Sequence, residues 1–228
     1  MSAFTDAVEK VASALENNSK KFEELDSVAG DGDLGITAGN IAKGLRSGAA
    51  GATGDLKADL MLIGREIAKF APSTFGTLFA TGFIRASAAV TDADALKNTQ
   101  LAVTGAYEGI AARGKAALGE RTLLDALHPA SVALNAATDL QTGLNAAAAG
   151  ARAGVVATAS MAPKHGRAGW IGERAQGNED AGATVVAVVF EALAQYLFRS
   201  HLIAVIRFYP QLLRVVFLVV HRLKLQRY

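Results

Sequence analysis

Val185–Phe190, VVAVVF, is the stretch on which the fold class turns. It is the one run in the chain that resembles a β-strand, yet a short, wholly apolar run fits a buried helix equally well. The sequence on either side of it decides the matter. Phe4, Val8, Val11, Ala12 and Leu15 recur at helical spacing and predict a first helix of about four turns. Further helical patterns run from about Ile36 to Leu45, Lys57 to Phe70 and Thr77 to Ala89. Thr91 or Asp92 suits the N-cap of a helix bearing Leu96, Leu101, Tyr107 and Ile110. Another helix begins near Thr122, an alanine-rich one covers about Leu144 to Ala162, and a last one starts near Ala183. With eight helical segments and many Ala and Gly residues that let helices approach closely, VVAVVF reads as helix. The expectation is an all-α, up-and-down bundle.

Composition limits what such a bundle does. The 228 residues are 51% hydrophobic and 19% charged, too apolar for a disordered chain and of a length suited to one core. The absence of cysteine excludes disulfides, a thiolate nucleophile and Cys-ligated metal. Six basic residues and no acid lie beyond Tyr196, which leaves 17 of the 23 basic residues against all 21 acids in the rest. A mildly acidic body with few aromatics argues against a nucleic-acid partner. The first 18 residues lack the basic start and apolar core of a signal peptide, so a cytoplasmic location is expected.

Two loops concentrate chemistry. The first, LDSVAGDGDLG at 25–35, sets Asp26, Asp31 and Asp33 close together between glycines. Carboxylates so crowded repel unless water screens them or a cation sits between them. Oxygen ligands on a glycine-hinged loop suit a hard cation such as Mg²⁺, often shared with phosphate; a solvated acidic turn is the alternative. Gly30, Gly32 and Gly35 imitate a dinucleotide fingerprint, but two Asp within it oppose a bare pyrophosphate. An EF-hand counted from Asp31 ends on Ala42 instead of Glu. Gly109–Ala116 imitates a P-loop that lacks its Ser/Thr and follows a helix. The second loop, Lys164 to Gly182, gathers Lys164, Arg167 and Arg174 among glycines, a composition suited to phosphate oxygens. An acidic loop paired with a basic one fits magnesium and a polyphosphate.

At this point the sequence resembles the nucleotide-binding L subunit, equivalently the C-terminal domain, of dihydroxyacetone kinases. The resemblance rests on Asp26-x4-Asp31-x-Asp33, on RGKAALGERTLLDA at 113–126 and on the loop from Gly166 to Ala183, and it covers about Phe4 to Gln195. It implies an eight-helix antiparallel barrel with the nucleotide at one end. It further implies two Mg²⁺ ions on Asp26, Asp31 and Asp33, and ATP or tightly bound ADP. By motif position, Leu34, Gly35, Ile36 and Thr37 would donate to phosphate, and Ser73 and Thr74 would form a phosphate turn. Gly114, Thr122 and Leu123 would flank adenine, Arg167 would meet and stabilise the transferring phosphate, and Asp180, Ala181 and Gly182 would line ribose or base. Leu34 and Thr37 stand where the family often has His and Asn, and APSTFGT replaces a Gly-Gly-Ser type of turn. Glu120-Arg121 replaces Asp-Lys with charge kept.

The activity implied is phosphoryl transfer to a ketose held by a partner, the ketose-binding dihydroxyacetone kinase subunit. A phosphotransferase-system donor protein and a homodimer are further options. A fatty-acid-kinase-like nucleotide domain and a non-catalytic nucleotide-binding regulator are the alternatives. His128, His165, His201 and His221 receive no catalytic role, and Trp170 is read as a lid or packing residue. The domain is set at residues 1–195. The tail, residues 196–228, is apolar and basic and does not resemble the family; its longest uncharged run, Val215 to Val220, is too short to span a bilayer. A membrane-surface helix, a packing extension and a reading-frame change all account for it.

Overall fold

The computed structural model describes residues 2–165 and 177–208, with side chains up to residue 199. The described residues are all helical, without a strand, in the order α1 (Ala3–Asn17), α2 (Ser19–Ala29), α3 (Leu34–Ala50), α4 (Leu56–Phe70), α5 (Thr74–Ala89), α6 (Ala95–Gly114), α7 (Leu124–Asn135), α8 (Leu140–Thr158) and α9 (Ala181–Phe208). Side-chain oxygens cap many of these starts. Ser2, Asp55, Ser73, Asp94 and Asp139 each accept from the backbone N–H three residues on, and Asp180 does the same for α9 through Ala183. Each cap satisfies one of the donors that a helix start leaves orphaned.

Two expectations are corrected here. The charged stretch Lys20–Glu24 is not a lead-in to a loop but the body of α2, one of nine helices among the described residues. Phe22 is its one fully buried side chain, too little to give a readable stripe. The N-cap of α6 is Asp94, not Thr91 or Asp92. Asn98 decides this, because its side chain accepts from the Thr91 N–H and donates to the Ala93 carbonyl, folding those residues back over the first turn.

From α3 to α8 consecutive helices pack against one another, while α1 packs chiefly on α3, and glycine sets how closely. A Cβ on Gly44 would meet the Ile67 Cα at 2.6 Å, and one on Gly48 would meet the Ile63 Cα at 2.6 Å, so α3 and α4 run in opposite directions nearly backbone to backbone. Between α7 and α8 the same relation holds. Pro129 lacks the N–H that would bond the Asp125 carbonyl, and Gly154 lets α8 pack against that carbonyl.

Two large hydrophobic clusters fill most of the interior, beside a small third one of Leu60, Ala86 and Val90. One draws on α1 to α5, the other on α6, α7 and α8, and α9 contributes to both. Ala181, Val185 and Val188 enter the first; Ala183, Val186, Ala187 and Phe190 enter the second. VVAVVF is therefore apolar at every position because core lies on both sides of it. Burial overrides the weak helix propensity of valine.

The chain divides into two compact units, Met1–Ala194 and Gln195–Tyr228. In the second, helix continues as far as Phe208. Ala181–Arg199 is long and apolar enough to cross a membrane by length and composition, but 56% of it is buried within the protein, as in a core helix.

Candidate functional site

The acidic loop is tighter than the sequence suggests. Asp26 sits on the last turn of α2 and Leu34 already begins α3, so only residues 30–33 link the two helices. Two glycines make this possible. Gly32 adopts φ +75°, and a Cβ on Gly30 would lie 2.4 Å from Asp26 Oδ1. The result is that Asp26, Asp31 and Asp33 offer carboxylate oxygens all within 4.8 Å of one another. Asp26 Oδ2 also accepts from the Leu34 N–H at 3.3 Å, which ties the cluster to the start of α3. Three oxygens at that spacing, two of them on exposed residues, match the donor set of a hard divalent cation.

The start of α3 leads on to α5. Leu34, Gly35 and Thr37 are buried, whereas Ile36 is 71% exposed. Thr37 Oγ1 donates to Ser73 Oγ at 3.4 Å, and Ser73 caps α5 by accepting from the Gly76 N–H. From Ser73 a cleft of about 570 Å³ opens, lined by Thr74, Thr77 and Leu78 of α5 and by Ile110, Arg113 and Gly114 of α6. Pro72, Ala116, Thr122, Leu123, Leu124 and His165 complete its wall.

The far wall depends on an unusual turn. Gly119 and Arg121 have φ of 81° and 57°, both left-handed. Asp125, on the first turn of α7 and nearly buried, accepts from the Gly119 N–H at 2.6 Å and the Thr122 N–H at 2.8 Å. That carboxylate therefore shapes the turn that presents Thr122 and Leu123 to the cleft. Glu120 meets the cleft wall at His165: its Oε2 accepts from the Ala117 N–H and lies 2.5 Å from His165 Nε2. The Ala117 hydrogen bond, then the His165 contact, pulls the Glu120 carboxyl down to about 2.

Asp180 closes the ring of charge. Its backbone N–H donates to Thr158 Oγ1, and its carboxylate caps α9. The residue keeps some surface, yet its carboxyl group is densely enclosed. Burial raises its pKa to about 6, with Asp125 and Asp26 adding to the rise while the Ala183 N–H and Arg121 oppose it. Arg121 is itself held below its ordinary value by burial.

The expected site residues therefore sort into neighbouring groups. Asp26, Asp31 and Asp33 form one cluster, and Leu34 to Thr37 adjoin it on α3. Ser73, Thr74, Gly114, Thr122 and Leu123 share one cleft. Asp180, Ala181 and Gly182 do not line that cleft; they form the start of α9, where Gly182 packs against the Phe75 ring. Arg167, Trp170 and Arg174 lie outside the described residues. Among the residues that sequence reading left without a role are Arg113, Ala116, Asp125 and His165. The first three sit inside the RGKAALGERTLLDA motif, and His165 sits in the basic loop from Lys164 to Gly182; membership of those segments was the available signal.

The model of one protein family, the DAK2 domain, matches residues 28–195. The chain belongs to the DAK2 domain family. Among relatives, this DAK2 domain is 32% identical over 189 residues to the "PEP-dependent dihydroxyacetone kinase 1, ADP-binding subunit DhaL" of Listeria innocua, covering 79% of this chain and 89% of that protein. It is also 32% identical over 191 residues to the L-erythrulose 1-kinase of Mycolicibacterium smegmatis, where 80% of this chain matches 33% of that enzyme. The domain thus spans about a third of the length of such longer kinases. In three dimensions it is similar to the crystal structure of the dihydroxyacetone kinase of C. freundii, with a TM-score of 0.69 at 29% identity over 84% of this chain and 34% of that one. The same enzyme in complex with AMP-PNP and Mg²⁺ gives a TM-score of 0.69 at 28% identity.

Proposed function

We propose that this DAK2 domain is the nucleotide-binding subunit of a ketose kinase, binding ATP or ADP with magnesium in the cleft and delivering phosphoryl to a ketose held by a partner subunit. The observation that bears most weight is the adjacency of three carboxylates within 4.8 Å to a cleft that begins at Ser73. Asp26, Asp31 and Asp33 would hold the metal, as two ions shared with phosphate. Magnesium bound there supplies charge neutralisation on the phosphate oxygens.

The chain's own groups account for the rest. The N-termini of α3 and α5, with the hydroxyls of Thr37, Ser73 and Thr74, offer donors to phosphate. Arg167 would pair with the transferring group. Gly114, Thr122 and Leu123 would enclose the base, and Asp180 to Gly182 would adjoin the ribose. In the transfer the bond from the terminal phosphorus to its bridging oxygen breaks, and a new one forms to a ketose hydroxyl oxygen, which loses its proton. Such a step needs positioning and charge stabilisation but no protein nucleophile.

The partner is a ketose-binding subunit. The Listeria relative's full name includes PEP dependence, which supports a phosphotransferase-system donor and a cytoplasmic setting. The relatives named as ketose kinases favour this reading over a fatty-acid-kinase-like domain. A pure interaction module has no need of three crowded carboxylates. Calorimetry with Mg-ADP tests the proposal: wild type should bind, and Asp31→Asn should give no detectable heat while remaining folded. Wild-type affinity in Asp31→Asn would overturn the metal assignment.

A further inference from the structure

Glu120 and Arg121 are consecutive, yet each holds a different stretch of chain against the cleft. The Glu120 carbonyl accepts from the Lys164 N–H at 3.3 Å, its Oε1 lies 3.5 Å from Lys164 Nζ, and its Oε2 meets His165 Nε2. Arg121 Nη2 donates to the Asn178 carbonyl at 3.0 Å, and its charge attracts Asp180. The two left-handed residues of the turn, Gly119 and Arg121, aim the successive side chains at these separate targets.

Arg121 occupies this place at a cost. It is only 5% exposed, its Nε and Nη1 have no hydrogen-bond partner, and its φ of 57° is one that arginine rarely adopts. Strain and desolvation of this kind persist where the surroundings over-determine the residue, and they concentrate at functional sites.

We propose that Glu120 and Arg121 are positioning residues that clasp Lys164–His165 on one side and Asn178–Asp180 on the other, and so set the affinity of the cleft without touching its ligand. The proposal rests on the reading that the cleft takes a magnesium nucleotide. Glu120 fixes His165 in the cleft wall. Arg121 fixes the residues that lead into α9, whose first turn packs on Phe75 beside Thr74. Asp125 makes the clasp rigid, because it pins the turn by both Gly119 and Thr122. Moving either clasped stretch therefore moves the cleft wall relative to Thr122 and Leu123.

The test uses the full chain, Mg-ADP calorimetry and amide hydrogen exchange, with Arg121→Met, Arg121→Lys and Glu120→Gln. Loss of one charged hydrogen bond, about 1.5 kcal/mol, should weaken Mg-ADP binding about tenfold in Arg121→Met. Exchange should accelerate at Gly177 and Asp180, whose amides bond the end of α8, while Lys164 keeps its protection. Glu120→Gln should give the opposite pattern, and Arg121→Lys should recover part of the affinity. Wild-type binding in both Arg121→Met and Glu120→Gln, a uniform rise in exchange across all helices, or a Lys variant no better than Met would each overturn the clasp. If wild type fails to bind Mg-ADP while the two exchange patterns still separate, the nucleotide reading fails and the clasp stands.

Discussion

Replacing Asp180 by Asn should stabilise the protein at neutral pH. In the unfolded chain this carboxyl ionises near 3.8, and in the fold near 6. The folded state therefore holds its proton longer. The contribution is fully present below pH 3.8 and is lost as pH rises through 6. A difference of about two units at 1.36 kcal/mol each gives about 3 kcal/mol by pH 7. Because the residue keeps some surface, solvent screening reduces this to about 1–3 kcal/mol. Asn resembles the protonated acid, never ionises, and can still cap α9 by accepting from Ala183. For a domain of this size the gain corresponds to a rise in Tm of about 2–10 °C at pH 7.5, falling to roughly a third of that at pH 4.5 and vanishing only below pH 3.8. Thermal unfolding of both proteins with chelator present, across pH 4.5 to 7.5, is the assay. The two proteins differ only at residue 180, so the difference between their profiles isolates Asp180. Parallel pH profiles, or a lower Tm for Asp180→Asn at pH 7.5, would refute the account of an enclosed, charge-opposed carboxyl.

Three further outcomes are expected. Gly154→Ala places a Cβ 2.1 Å from the Asp125 carbonyl oxygen, so it should destabilise the fold by about 1–3 kcal/mol or more in urea titration and disturb the turn that Asp125 shapes. Arg46 bonds Glu9 and Glu16 and lowers the pKa of both, so Arg46→Met should cost about 0.5–1 kcal/mol at pH 7 and low salt. That cost should vanish as pH falls below 4.5 and the two carboxylates take up protons, a trend read from denaturation midpoints between pH 7 and 3.5. Purified chain with Mg-ATP and dihydroxyacetone should show only background turnover, and adding a cognate ketose-binding subunit with its donor should restore it; robust turnover by the chain alone would reveal a sugar pocket within it.

What was legible in the sequence follows from where each signal originates. The metal-like cluster was legible because its three carboxylates lie within eight residues, so loop spacing alone brings them together. The stripe of α1 was legible because Val8, Val11, Ala12 and Leu15 bury one face and nothing else. By contrast, VVAVVF was ambiguous because two clusters cover it, and only the packing of eight other helices shows that both faces are interior. The cleft was partly hidden for a related reason. Its wall takes residues from α5, from the end of α6, from the turn before α7 and from His165, which are separated by up to 93 positions. His165 acquires its place only through Glu120, a contact over 45 positions that no local pattern announces.

The electrostatics of the site explain why these separate pieces belong together. Asp125 and Asp26 lie close enough to Asp180 to raise its pKa, and Asp31 and Asp33 lie beside Asp26. Arg121 opposes them from inside, where burial weakens its own charged form. Such an arrangement works against folding, since like charges gain little from solvent once enclosed. On the proposed reading, two divalent cations on the three-carboxylate cluster would relieve that repulsion and leave one positive charge over, which would attract phosphate. Burial is the chief cause of the raised Asp180 pKa, so neutralising Asp26 would ease the ionisation of Asp180 only in small part. On that reading stability and ligand affinity draw on the same three carboxylates, Asp26, Asp31 and Asp33.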